Sequence, residues 1–259
     1  MDRRAFLRVS AGGAAIAMLP SLPGCSTTGS LPPVEHAQGP TAVTATGTRF
    51  EARPDAHALM IAGDRGEQMT GGVGRQLGRF NYPVGLVVIG ELAYVVEKGN
   101  HRVQIVGADG VSGGEIGAGE LLYPGGIAVT TAGELLVADS RNARIVGYTT
   151  DGAKTRELGA GVLSAPAGLA VIGDSIVVAD PGLRQVVELD RRGVVRRALG
   201  TTWVLPWSVA TDGEHLFVVD GAAAEVAVLS RDGKRIDTIE TELAPRFVCY
   251  GADGMLYVS

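Results

Sequence analysis

Acidic side chains recur at one phase of this chain. Glu97, Asp139, Asp180 and Asp220 each close a short β-branched run, about 40 residues apart. Four carboxylates at one repeat position could surround a cation or serve as general bases, since hard divalent ions take oxygen ligands. Their repetition favours a plainer role, in which Asp accepts backbone N–H bonds in the turn that follows. Catalysis needs different residues from different repeats. The four carboxylates are therefore weak metal candidates, and no cofactor is expected. His36, His57, His101 and His215 include no pair at ligand spacing such as H-x-x-x-H. There is no Gly-x-Ser-x-Gly elbow, and Gly71-Gly72-Val73-Gly74 lacks the lysine of a phosphate-cradling loop.

The repeats differ from one another at their prolines. Tyr82 and Tyr123 precede theirs, and where other repeats read Pro-x-Gly, two read Pro206-Trp207-Ser208 and Pro245-Arg246-Phe247. Trp203 lies just before the first of these, and His101 and Arg141 sit in turns after the acidic residues. Aromatic and arginine side chains are what binding hot spots are made of. Tyr82, His101, Tyr123, Arg141, Trp203, Trp207 and Arg246 are thus the candidate ligand-binding residues, with packing as the plainer alternative for the large rings.

The elements that must position them come from a repeat whose phase is set by Pro83, Pro124, Pro166, Pro206 and Pro245, with a degenerate unit starting at Pro40. Each unit reads as an apolar strand, a tight turn, a second β-branched strand, an acidic turn, a third strand, an Asp-Gly or Arg-Gly turn and a short outer strand. A helical repeat fails because the apolar pattern has no 3.6 period. Short apolar strands at this period predict the blades of a β-propeller. Pro83, Pro124 and Pro166 with their Pro-x-Gly runs, Val137-Ala138-Asp139, Val178-Ala179-Asp180 and Gly99-Asn100-His101-Arg102-Val103-Gln104-Ile105-Val106 resemble the NHL-repeat β-propeller family across residues 40–259. The resemblance implies an all-β fold of six blades with an incomplete closing blade, completed by a strand from the preceding segment. The alternative is five blades, with segments near His57–Ile61 and Gln68–Gly71 completing the C-terminal pair. In such a fold the proline loops and the acidic turns share one face, so the seven candidates could line one mouth. Propeller lactonases of the gluconolactonase type hold a divalent cation with Glu, Asn and Asp at the channel. Here Glu97, Asn100, Asn142, Asp180 and Asp220 are the residues that could do so.

Residues 1–25, MDRRAFLRVSAGGAAIAMLPSLPGC, read as an export segment, because the apolar stretch is too short and too broken by Gly and Pro to span a membrane. Arg3 and Arg4 with Phe6 and Leu7 resemble a bacterial twin-arginine signal, and Leu22-Pro23-Gly24-Cys25 resembles a lipobox. The resemblance implies lipidation at Cys25 and attachment to the periplasmic face of a membrane. Ser26 implies the outer membrane. Residues 26–39 read as a flexible tether and 40–259 as the propeller. A net charge of −5, with no basic block beyond the first eight residues, gives no basis for nucleic-acid binding. Cys249 reads as a small buried hydrophobe. The expected function is a non-enzymatic, lipid-anchored envelope module that binds a protein, peptide or glycan. The alternative is a divalent-metal-dependent hydrolase, lactonase or lyase acting at the channel mouth.

Overall fold

Each aliphatic run ends at a turn whose backbone the local sequence can adopt, as at Gly133, which has φ +82° between the first two strands of its unit. The runs therefore fold back on themselves. The computed structural model describes residues 31–200 and 202–259, and its strands form five four-stranded antiparallel sheets and one three-stranded sheet. Blade one comprises Thr41–Val43, Arg49–Arg53, Ala58–Gly63 and Gly66–Gly71. Blade two comprises Pro83–Ile89, Leu92–Glu97, Arg102–Gly107 and Ser112–Ile116. Blade three comprises Ile127–Val129, Leu135–Asp139, Arg144–Tyr148 and Lys154–Leu158. Blade four comprises Gly168–Ile172, Ser175–Asp180, Gln185–Asp190 and Val195–Leu199. Blade five comprises Pro206–Thr211, His215–Asp220, Glu225–Ser230 and Arg235–Glu240. Successive first strands touch, and the first strands of blades six and one also touch, so the ring closes as a six-bladed β-propeller.

The sixth blade pairs Val248–Tyr250 with Leu256–Val258, and Val34–His36 adds alongside the latter in parallel, Val34 opposite Leu256. The propeller thus begins upstream of Pro40, inside the stretch read from sequence as tether. Arg49 of blade one ion-pairs with Glu35 at 2.6 Å and lies over the Tyr257 ring, which fastens the seam. The five-bladed alternative is overturned: Ala58–Gly63 and Gly66–Gly71 pair with Arg49–Arg53 in a blade of their own and leave the C-terminal pair to Val34–His36.

Hydrophobic clusters fill the joints from blade one to blade five, so the second strands of blades two, three and four are covered on both faces. That is why Leu135–Asp139 is buried at every residue and reads as continuously apolar up to its acid rather than alternating. Truncating a side chain there, such as Leu136, costs about 2–5 kcal/mol. Near the axis the blades approach so closely that a Cβ on Gly168 would lie 2.8 Å from the Ser208 Cα, which explains the glycine of Pro-x-Gly. Arg3, Arg4 and Cys25 lie outside the described residues, and no described helix is long and apolar enough to cross a membrane.

Candidate functional site

The recurring carboxylates are fixed by hydrogen bonds that run backwards along the chain. Each accepts the backbone N–H of the residue two before its blade's proline: Asn81 to Glu97 at 2.9 Å, Leu122 to Asp139 at 2.7 Å, Ser164 to Asp180 at 2.8 Å and Val204 to Asp220 at 2.8 Å. Blade one, which has Arg53 at the acid's position, uses Glu51 for the same purpose on the N–H of Gln38. The expected bond to the following turn is present at Asp180 and Asp220, which also accept from Leu183 and Ala222, but the bond to the earlier loop is common to all four. Each acid is a clamp that holds the loop leading into the innermost strand against the end of the second strand. Its oxygens are occupied by these bonds and its side chain is buried, and none of Glu97, Asp139, Asp180 and Asp220 lines the channel mouth. Among the described residues no three His, Cys, Asp or Glu side chains converge as a metal site.

The clamped loops bound a cavity of about 910 Å³ at the channel mouth, near the upper end of the range for ligand sites. Its lining follows the repeat. The residue before each proline contributes Tyr82, Tyr123, Ala165, Leu205 and Ala244, and the residue after it contributes Val84, Gly125, Ala167, Trp207 and Arg246. The residue after each acid contributes Lys98, Ser140, Pro181 and Gly221. Arg141 completes the rim, and Phe247 projects from blade six to pack against the cluster holding Val84 and Ile127 of blades two and three.

Tyr82 and Tyr123 are held in left-handed backbone, φ +55° and +50°, a conformation uncommon for bulky residues and concentrated at functional sites. A histidine from the preceding blade fixes each. His57 Nδ1 accepts the Tyr82 N–H and His101 Nδ1 accepts the Tyr123 N–H, both at 2.9 Å, so each imidazole is unprotonated at Nδ1. The His101 and Tyr123 rings meet edge to face at 4.7 Å. The Arg141 guanidinium lies 4.8 Å from the Tyr123 ring centroid. Lys98 reaches from blade two to blade five, on the opposite side of the ring, and places its Nζ 5.3 Å from the Trp207 centroid. Burial, then the positive charges of Arg141 and Arg246, hold its ammonium below the ordinary lysine value. Burial pushes the Cys249 thiol, in the innermost strand of blade six, up to about 11.

Of the seven candidate residues, the structure brings Tyr82, Tyr123, Arg141, Trp207 and Arg246 together at the mouth. His101 supports Tyr123 from outside it. Trp203 is corrected to a packing residue: its Nε1–H donates to the Leu199 carbonyl at 2.8 Å and its ring packs into the core between blades four and five. It stands three residues before its proline, two short of the lining residue Leu205. Lys98 was missed. The signal was its place directly after the recurring acid, where every blade from two to five turns a residue to the mouth.

Residues 121–148, the first three strands of blade three with the loop leading into them, match the model of the NHL repeat. The chain is a six-bladed β-propeller carrying an NHL repeat. No curated protein matches it by sequence. Among solved structures it is similar to the virginiamycin B lyase of Staphylococcus aureus, at 16% identity and a TM-score of 0.63 over 81% of this chain and 72% of that one. It is also similar to a chain of a nidogen/laminin complex, at 18% identity and a TM-score of 0.68 over 85% and 83%. A gluconolactonase of Xanthomonas campestris matches at 15% identity and a TM-score of 0.66 over 85% and 82%. At such identities the likeness concerns the propeller fold, which enzymes and binding proteins share.

Proposed function

We propose that this propeller is a non-enzymatic binding module of the bacterial cell envelope, exported through its N-terminal segment, lipid-anchored at Cys25 on the periplasmic face of the outer membrane, and holding a protein, peptide or glycan at its channel mouth. One observation carries the reading: the mouth differs blade by blade, with tyrosines on blades two and three, Trp207 on blade five and Arg246 on blade six, while the acids that could do chemistry are spent on clamping loops. A repeat that only had to close a ring has no use for such asymmetry. The test places a photoreactive phenylalanine at position 207 of the exported full-length chain, and at exposed Ile236 on the outer strand of blade five as a control. A discrete envelope adduct from position 207 alone is expected; equal adducts, or none from position 207, would overturn the reading. Cys25→Ser should move the protein from the membrane to the soluble fraction. The alternative, a metal-dependent hydrolase, lactonase or lyase, gains if the purified protein carries a stoichiometric divalent metal that Asp180→Ala and Asp220→Ala remove.

A further inference from the structure

The mouth is largely apolar, and every charged side chain in it is positive. Its lining contains Lys98, Arg141 and Arg246 and not one Asp, Glu, Asn or Gln. Among the described residues none of these three cations is in an ion pair, whereas Arg102, Arg144, Arg156 and Arg197 on the blades each have a carboxylate partner. In a chain of net charge −5, a cavity with three uncompensated cations is a local inversion of sign that focuses anions. The innermost strand of each blade has a sheet neighbour on one side only, so its free edge turns backbone N–H and C=O groups toward the axis.

We infer, resting on the binding-module reading above, that the ligand is an acidic peptide segment whose carboxylates are taken by Lys98, Arg141 and Arg246. A glycan is less well matched, because the lining has none of the carboxylates or amides that accept strongly from sugar hydroxyls, only the hydroxyls of Ser140, Ser164, Ser208, Tyr82 and Tyr123. Sugar rings also stack on open aromatic faces, and two of the rings at the mouth already have a cation on one face, Arg141 over Tyr123 and Lys98 over Trp207. A peptide suits both sets of groups: carboxylates for the cations, and alternating N–H and C=O for the strand edges. The cations stacked on aromatic rings are pre-positioned, which lowers the cost of ordering long side chains on binding. They also repel one another, so an arriving carboxylate relieves a repulsion already present in the free protein. This is a binding step only; no covalent bond changes.

The test titrates fluorescently labelled hexaglutamate into the full-length protein, with hexaglutamine, an oligogalacturonate of six residues and a single-stranded oligonucleotide as parallel probes. Hexaglutamate should bind at least about 100-fold more tightly than hexaglutamine and weaken steeply with added salt. Lys98→Met, Arg141→Ala and Arg246→Ala should each weaken it about tenfold, Lys98→Arg should largely restore it, and Lys234→Ala on the exposed outer turn of blade five should leave it unchanged. Equal binding of hexaglutamine, tighter binding of the oligogalacturonate or the oligonucleotide, or indifference to all three cation variants would each overturn the inference. Position 207 separates the two readings: if crosslinking there yields an adduct while hexaglutamate does not bind, the ligand class is wrong and the binding module stands; if neither occurs, both fall.

Discussion

Blades two and three secure their acid with side chains, whereas blades four and five secure theirs with backbone alone. Glu97 accepts from Asn100, Arg102 and Gln104 as well as from Asn81 N–H, and Asp139 accepts from Asn142 and Arg144 as well as from Leu122 N–H. Asp180 and Asp220, with no Asn or Arg at the matching positions, each take three backbone N–H groups instead. The second loop N–H follows suit. At Tyr82 and Tyr123 it goes to a histidine of the preceding blade, while at Ala165 and Leu205 it stays within the blade. One residue type at one repeat position is thus wired in two ways. The side-chain version also binds neighbouring blades together, and it is there that the tyrosine lip stands.

The difference can be broken most forcefully at Glu97. Glu97→Ala leaves the Arg102 guanidinium, 2% exposed, with the half-exposed Glu115 as its one carboxylate beside the Gln76 and Arg79 carbonyls, and should cost about 3–5 kcal/mol in chemical denaturation. Asp220→Ala removes an acceptor from backbone groups that lie nearer water, and about 1–3 kcal/mol is expected. Equal losses would erase the distinction between the two wirings. His101→Ala should cost about 1 kcal/mol and weaken hexaglutamate binding through displacement of Tyr123, whereas Arg184→Ala, at the same turn position of blade four, should do neither.

The smallest effect has the opposite sign. Lys98 has a folded value below the ordinary 10.5, so it binds fewer protons folded than unfolded in the interval between the two. Stability should therefore climb as pH rises through that interval, and at neutral pH the ammonium is a standing cost. Lys98→Met should raise the melting temperature by roughly 1–3 °C at pH 7, lose the alkaline climb and lose ligand. A lower melting temperature at pH 7 would show that the stacking on Trp207 outweighs the repulsion from Arg141 and Arg246.

The fold was legible because five prolines and the aliphatic runs between them repeat a unit that cannot bury both faces alone. Val34–His36 was less so: three residues, Val-Glu-His, carry no pattern, and their pairing is decided by the vacancy beside Leu256–Val258. At the mouth, residue type picked out five lining residues, Tyr82, Tyr123, Arg141, Trp207 and Arg246, but position in the repeat was the stronger guide. Lys98 was hidden by its ordinary type, and Trp203 was mistaken for a lip residue by its conspicuous one. The role of the acids was only half visible, since their shared partner is a backbone N–H 16 or 17 residues earlier, a group every residue but proline possesses.

The seam between blades six and one has a mechanical side. Because Val34–His36 lies parallel to Leu256–Val258, a pull on the chain upstream of Val34 acts along the strand axis and loads its hydrogen bonds together rather than peeling them singly. The Arg49–Glu35 pair stands in the same line of force. On the proposed reading of an N-terminal anchor and a ligand at the mouth, a tug on that ligand would be borne by this clasp, whose release would open the ring.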